Sequence, residues 1–495
     1  MKMHNGYERL PRNYTLLVDG YEHTMSNAYH KIDKYEQVAV FDVFFREVPN
    51  KGGYAIMAGL DKVIEYIKNL KFGEQELNYY RKKGYPEEYI EYLRNFKFTG
   101  NIYAIPDGTP VFPNEPIITI EAPIIEAQII ETNLLCMING AMEHATGARR
   151  VVEAVPKNVQ TIICPVLDMG ARRADGSEAA IDSSLYGMMA GCTGTSNEMA
   201  ANMVNKLASG TMAHSYVTFF DSELEAFINW ADIYPNNCIL LVDTYDTLNS
   251  GIPNAIKAFN YMKEKGIPIN NIGIRIDSGN LIYLSKKARQ MLDEAGFPNA
   301  TICLSNGLKA ETIENLVKEG ACFNSLGVGD NISKPSGRMG CVYKLVALKE
   351  NNKYKPTIKL SDDTIKIVNP DFKNLYRVYD NETGMAIADV MTRKEQVLSD
   401  NQKITIVSLK DNFQRKEITN YHLEQLQQPI FINGELVYED LELDEQKQYC
   451  DKQMSLLYQD YKRTTNPEQY YVDGTSEYVD FKNNLIAQKK LVRRP

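Results

Sequence analysis

A chain of 495 residues has room for two or three domains of ordinary size and a large buried core. Its 64 acidic residues outnumber 55 basic ones, leaving a net charge of −9, which excludes a general nucleic-acid binder but not a small basic pocket for one phosphorylated metabolite. Hydrophobic residues at 44% and charged residues at 24% suit a globular protein, and the most apolar stretch, 117–130, is broken by Glu121, Pro123 and Glu126, well short of the ~20 apolar residues of a membrane helix.

The first residues are polar and lack the apolar segment of a signal peptide. The eight cysteines are scattered with no C-x-x-C pair, against a zinc site or a disulfide framework. Cys164, Cys238, Cys303 and Cys322 sit in apolar runs and read as buried free thiols in a reducing compartment. The expected address is cytoplasmic, with no membrane partner. Residues 38–45 are β-branched and aromatic and predict a strand. Between 101 and 121, Pro106, Asp107-Gly108, Pro110, Pro113 and Pro116 separate apolar pairs, predicting short strands joined by turns. Helices are expected near 60–70 and 86–96, then a long one over 126–155 with weak points at Gly140 and Gly147. Residues 1–130 are thus expected to form an N-terminal α+β domain.

From residue 159 apolar strands alternate with amphipathic helices. The strands expected are 161–167, 210–213, 238–242, 272–276, 301–304 and 323–328; the helices include 222–234, 253–265, 282–294 and 310–318. This alternation implies a parallel sheet and an α/β fold. Six units suggest an irregular or incomplete α/β barrel over 131–348, with an open doubly wound sheet as the alternative. Beyond 348 a hairpin is expected at 376–390 around Asn381-Glu-Thr-Gly384. Residues 349–495, rich at the end in Tyr, Gln, Lys and Glu, are expected to form a small C-terminal domain or arm, a hairpin and helical region packing back on the N-terminal domain.

The strand ends carry the chemistry. In order they read Asp168-Met-Gly-Ala-Arg-Arg173, His214-Ser215, Asp243-Thr-Tyr-Asp246, Asp277-Ser-Gly-Asn280, Ser305-Asn-Gly307 and Gly327-Val-Gly-Asp330. In α/β barrels the strand-to-helix loops converge on the active-site face. One Asp after a strand is more often a helix N-cap than a catalyst; six polar or Gly-rich turns in succession reverse that expectation. The glycine turns offer backbone N–H groups to a phosphate, and Arg172, Arg173 and Arg275 supply positive charge. Asp243 and Asp277 are suited to hold magnesium, bind ribose hydroxyls or stabilise a developing cation. A sugar-phosphate substrate with magnesium follows. G-x-x-x-x-G-K-[ST], G-x-S-x-G and H-E-x-x-H are all missing. His4, His23, His30, His144 and His422 show no ligand spacing, whereas His214 ends a predicted strand.

The motifs Asp19-Gly-Tyr-Glu-His-Thr-Met25, Phe44-Phe-Arg46 with Gly52-Gly53, Gly108-Thr-Pro-Val-Phe-Pro113, Thr193-Gly-Thr-Ser-Asn197, Ser209-Gly-Thr-Met-Ala-His-Ser215, Asp243-Thr-Tyr-Asp246, Asp277-Ser-Gly and Val342-Tyr-Lys-Leu345 occur in this order. Over residues 15–348 the chain resembles the nicotinate phosphoribosyltransferase family. That resemblance implies an N-terminal α+β domain on an irregular α/β barrel, in a homodimer with active sites at the interface. It implies transfer of a phosphoribosyl group from phosphoribosyl pyrophosphate to nicotinate in NAD biosynthesis, coupled to ATP hydrolysis through a phosphohistidine at His214, with magnesium as cofactor.

By the same resemblance Tyr21, from the opposite subunit, stacks on the pyridine ring. Met169 stands where relatives have an aromatic and forms another wall. Arg46 faces pyrophosphate; Arg172 and Arg275 meet the nicotinate carboxylate or the sugar phosphate. Asp243 and Asp277 lie near the ribose and its magnesium, with Ser278 and Gly279 alongside. Asn306, Gly307, Gly327 and Gly329 line the 5-phosphate pocket. Lys334, Arg338 and Lys344 are weaker candidates for phosphate contacts. Two further departures stand out: Asn280, where nicotinate enzymes commonly have Asp, and Asp330, a carboxylate beside a phosphate cradle. Asn280 is the argument for the alternative, a nicotinamide phosphoribosyltransferase; a quinolinate enzyme and a non-catalytic metabolite-binding relative are the other readings.

Overall fold

The computed structural model describes residues 1, 13–155, 165–360, 367–409 and 413–491. The chain divides into two compact units, Met1–Glu143 with Gly337–Pro495, and His144–Ser336.

The unit of 144–336 is built on six parallel strands: β1 (Val166–Asp168), β2 (Gly194–Thr195), β3 (Cys238–Leu241), β4 (Ile272–Ile276), β5 (Thr301–Ser305) and β6 (Ser325–Val328). Their order is β2-β1-β6-β5-β4-β3. Among the described residues β2 and β3 are edges, so the sheet is an incomplete barrel. The strands form because short apolar runs are buried on both faces, as in a parallel sheet covered by helices. The helix Ile252–Glu264 buries Ile252, Ala255, Phe259 and Met262, a stripe at helical spacing. Helix starts follow capping chemistry: Ser222 accepts from the Glu225 N–H and Asn280 from the Tyr283 N–H.

Two expectations change here. Residues 210–213 join no ladder; they run extended into the helix His214–Phe219, and the sheet gains Gly194–Thr195 instead. Ser209-Gly-Thr-Met-Ala is too short in apolar residues to bury a strand on two faces, and only Met212 among 210–213 is buried. The strand expected at 161–167 is observed as Val166–Asp168; residues 161–164, with Cys164, lie outside the described residues.

In the other unit, Val38–Phe44 pairs antiparallel with Ile118–Pro123 and with Val342–Glu350 inside a seven-stranded sheet. Asn101–Ala104 carries Gln428–Ile432 on its far side, so the late part of the chain extends a sheet begun by the early part. The helices Leu60–Asn69 and Glu87–Arg94 lie where periodicity predicts them. The long helix is split at Ile130 into Ile124–Ile129 and Glu131–Glu153, with Gln128 bonded to Glu131 (2.8 Å) across the break. Gly140 and Gly147 stay inside it. A Cβ on Gly147 would stand 2.7 Å from Pro335, so that glycine serves packing rather than termination.

The hairpin Lys373–Asp380 with Ala386–Arg393 belongs to a second, six-stranded sheet. Buried ion pairs bind it to the early segment: Arg377 forks onto Asp389 and reaches the Pro110 carbonyl (2.9 Å), and Lys373 meets Asp42 (2.6 Å). Among the described residues no helix is long and apolar enough to cross a membrane.

Candidate active site

Adjacent strand ends bring the chemistry together. β3 and β4 are paired, so Asp243 and Asp277, just beyond them, stand side by side. Asp243 Oδ2 accepts the Asp277 N–H (3.1 Å) and the Ser278 hydroxyl (2.6 Å). Its Oδ1 is buried without a hydrogen-bond partner among the described residues. Asp277 Oδ1 accepts the hydroxyl of Ser305 (2.6 Å), at the end of β5. His214 opens its helix after the extended Ala213. Its Nε2 lies 4.0 Å from Asp243 Oδ1 and 3.7 Å from Asp277 Oδ2, and its Nδ1 is 3.1 Å from Thr244 Oγ1. Both carboxylate distances exceed hydrogen-bond length. Arg275, in β4, donates to Thr211 Oγ1 (2.6 Å) and keeps Nε buried without a partner among the described residues.

The glycine turns differ among themselves. Asn306 and Gly307 both take positive φ, 89° and 60°, and nothing approaches Gly307 where a Cβ would stand. Gly327 is covered: Met169 lays its thioether across it, Sδ falling 2.5 Å from the site of a Cβ. Gly329 precedes the short helix Asp330–Ser333. Asp330, unexpected beside a phosphate cradle, faces Arg173 Nε at 3.6 Å. Arg172 is exposed on the turn Ala171–Arg173. Gly279 has φ 77°, and Asn280 spends its side-chain oxygen on a helix cap. Lys334 pairs with Asp175 (2.6 Å) and Arg338 with Glu143 (2.8 Å), so these two candidate cations already hold carboxylates. Asp168 is fully buried and accepts from Gly170 N–H, Ser184 and Thr195; it braces strand ends.

Tyr21, Arg46 and Lys344 belong to the unit of 1–143 and 337–495. Tyr21 is half exposed, with its hydroxyl on Glu131; burial and that carboxylate push the phenol far up. Burial also raises Glu131, opposed by its bond from Tyr21 and by the nearby charge of Lys344. Lys344 donates to the Tyr343 carbonyl (2.9 Å) and is held below the usual lysine range by burial. The Arg46 guanidinium stands 5.6 Å from the centroid of Phe44.

Sequence reasoning missed Thr211, Thr244 and Glu131. The first two lie within quoted motifs, but their partners are 64 and 30 residues away, beyond any spacing rule.

The chain is similar to known proteins along most of its length. The model described as the nicotinate phosphoribosyltransferase N-terminal domain matches residues 16–139, and that of the C-terminal domain matches 372–482. The nicotinate phosphoribosyltransferase of Bacillus subtilis (strain 168) is 40% identical over 479 residues, 96% of either chain. That of Dictyostelium discoideum is 31% identical over 95% of this chain and 88% of its own. The crystal structure of human nicotinic acid phosphoribosyltransferase shares the fold, with a TM-score of 0.81 at 23% identity over 95% of this chain and all of that one.

Proposed function

The chain belongs to the nicotinate phosphoribosyltransferase family, and we propose that it joins nicotinate to phosphoribosyl pyrophosphate and couples this transfer to ATP hydrolysis through His214. The observation that carries the reading is the imidazole of His214 facing two carboxylates, Asp243 and Asp277, at the ends of adjacent parallel strands. In the transfer, the pyridine nitrogen bonds to the ribose C1 while the C1–oxygen bond breaks and its electron pair leaves with pyrophosphate. C1 becomes cation-like on the way, and fixed carboxylates favour that charge. Asp243 Oδ1, buried and unpartnered, and Asp277 Oδ2 are the oxygens that would hold magnesium, which neutralises charge on the phosphates. The open Asn306-Gly307 turn suits the 5-phosphate.

ATP enters by group transfer. A lone pair on the His214 imidazole attacks the γ-phosphorus, and the bond to the bridging oxygen breaks with its electron pair leaving on ADP. Water later attacks that phosphorus, the phosphorus–nitrogen bond returns its pair to the ring, and phosphate departs. Tyr21 stacking on the pyridine ring from the opposite subunit of a homodimer, Arg46 and Lys344 at phosphates, and a cytoplasmic setting complete the reading. Asn280 does not favour nicotinamide, because its side chain caps a helix. The test is His214→Asn. This variant is expected to lose ATP hydrolysis and acid-labile labelling from γ-labelled ATP while slow ATP-independent transfer survives. Undiminished labelling would move the phosphoryl group to another residue.

A further inference from the structure

We infer that Glu131 is a positioning residue, holding the phenol of Tyr21 by its hydroxyl in the orientation in which the ring meets the substrate; this rests on the reading of Tyr21 as the residue that stacks on the pyridine ring. Tyr21 is the second residue of the helix Gly20–Lys31 and is 48% exposed. A tyrosine so exposed loses the freedom of two side-chain torsions when a ligand packs on it, and that loss weakens binding unless the fold has already fixed the ring. Its own helix start does little to fix it: Asp19, at the N-cap, makes no side-chain cap bond, and open space surrounds Gly20 where a Cβ would stand. The constraint comes from the start of the helix Glu131–Glu153. Thr132 Oγ1 accepts the Asp19 N–H (3.3 Å) and donates to Glu22 Oε1, and the adjacent Glu131 takes the hydroxyl of Tyr21.

Two adjacent residues thus clamp the helix start on both sides of Tyr21 and at its tip. Thr132 ties down the backbone just before Tyr21 and the side chain just after it, which sets the Cα; Glu131 then anchors the far end of the ring. With both ends held, swinging the ring about its side-chain torsions breaks the bond. Glu131 is itself braced. It opens its helix, where the positive end of the helix favours a carboxylate. Its Oε2 accepts from Gln128 Nε2 (2.8 Å), which lies before the break at Ile130. The charge of Lys344 acts on it from the strand Val342–Glu350. All of these residues lie in the unit of 1–143 and 337–495, so a chain sets its own Tyr21 before any partner subunit is met. A bond through the hydroxyl also leaves the faces of the ring clear of Glu131. As the pyridine nitrogen bonds to the ribose C1, the pyridine ring becomes a cation, and the face of a phenol attracts positive charge.

Substitutions at either end of the bond test it. Tyr21→Phe removes the hydroxyl and keeps the ring; Glu131→Ala removes the acceptor, and Glu131→Gln keeps an oxygen in its place. With phosphoribosyl pyrophosphate saturating, Tyr21→Phe and Glu131→Ala are each expected to raise KM for nicotinate at least about fivefold with kcat within about twofold of the natural chain, and Glu131→Gln to raise KM no more than about twofold. The double variant Tyr21→Phe with Glu131→Ala should match Tyr21→Phe alone, because both remove one bond. Tyr21→Phe changes a half-exposed side chain, so the test stands even where Glu131→Ala does not fold. Provided that Tyr21→Leu, which has no ring, raises KM, three results would overturn the assignment: an unchanged KM in Tyr21→Phe, equal rises in Glu131→Gln and Glu131→Ala, or effects that multiply in the double variant. A second readout needs no substrate. Fluorotyrosine placed at position 21 of the full-length protein is expected to show a fluorine resonance apart from that of the unfolded chain, moving toward it in Glu131→Ala. The same resonance in both proteins overturns the proposal. If Tyr21→Leu keeps the natural KM, or the natural chain does not turn over nicotinate, the stacking reading falls alone and the fluorine experiment decides for Glu131.

Discussion

Glu22 shows what a single buried carboxyl does. It follows Tyr21 on the helix Gly20–Lys31, is fully buried, meets the hydroxyl of Thr132, and leaves Oε2 without a hydrogen-bond partner among the described residues. Burial pushes its carboxyl from the ordinary value of 4.5 up to about 8, with Glu131 adding to the rise and the Thr132 bond opposing it. The folded chain thus keeps a proton that the unfolded chain releases. The stability tied to that proton is fully present below the ordinary carboxylate value and is lost as pH rises toward about 8. Inside this window the slope from one group is about 1.4 kcal/mol per pH unit. Glu22→Gln cannot ionise, so it should melt above the natural chain at pH 8, with the gap shrinking at pH 5. Thermal melts at both values check this, and a gap of constant size counts against it. Nothing in the sequence marks Glu22 as protonated, since burial is a property of the packed chain. Asp243, Asp277 and Arg275 were legible for a different reason: they sit at or just beyond the ends of apolar runs, and strand ends can be read from pattern, whereas His214 was singled out by a strand expected at 210–213 that does not form. Thr244 and Thr211 follow the same runs or motifs, yet only the fold shows whose side chains they meet.

At the scale of elements, the turn after Asp243 decides whether the site can form. Thr247–Gly251 is a single wide π-type turn, capped by Asp246, whose side chain accepts the N–H groups of Leu248 and Asn249; it leads straight into the helix Ile252–Glu264. A Cβ on Gly251 would lie 1.8 Å from the Val242 carbonyl oxygen, a backbone atom of the residue before Asp243. Unlike the end of a long side chain, that oxygen cannot swing aside without moving the strand end. Gly251→Ala is therefore expected to destabilise by roughly 3 kcal/mol or more, in the range of severe overpacking, and to yield little soluble protein. Normal expression with an unchanged melting temperature would show that the turn absorbs the methyl. Periodicity made the following helix legible to within a residue or two, because its buried stripe is strong. It could not mark the π-type turn, which has no repeat. The six-stranded sheet of 373–475 stayed hidden apart from its hairpin for a related reason. Arg415–Ile418 and Tyr421–Gln425 are edge strands with mostly polar or exposed residues, so no alternation announces them. The expected strand at 210–213 erred the other way: residues at the right place in the alternation lacked apolar surface to bury.

For the whole molecule, net charge and substrate charge pull in opposite directions. The chain carries −9, and the proposed substrates, nicotinate, phosphoribosyl pyrophosphate and ATP, are all anions. The long-range field therefore does not recruit them, and binding must come from cations concentrated at short range, where screening is weakest. Among the candidate cations of the unit 144–336, Lys334 is already paired with Asp175 and Arg173 faces Asp330. Arg275 differs: its guanidinium is partly buried, bonded through Nη1 to a neutral threonine, with Nε unpartnered among the described residues. Among the described residues that guanidinium has no carboxylate in an ion pair, and a carboxylate that can take two parallel N–H bonds is the group best able to supply the counter-charge. Nicotinamide offers one neutral carbonyl oxygen and an NH2 that repels the same donors. The preference for nicotinate over nicotinamide in kcat/KM is therefore expected to be at least about tenfold, which requires only ~1.4 kcal/mol of difference in transition-state binding. Arg275→Gln keeps a donor to Thr211 while removing the charge, so it should narrow that preference chiefly by impairing nicotinate. Steady-state rates for both substrates with phosphoribosyl pyrophosphate, measured for the natural chain and the variant, decide the matter. Equal or better use of nicotinamide by the natural chain would overturn the substrate assignment. An undiminished preference in Arg275→Gln would transfer the carboxylate to Arg172, exposed on its own turn after β1.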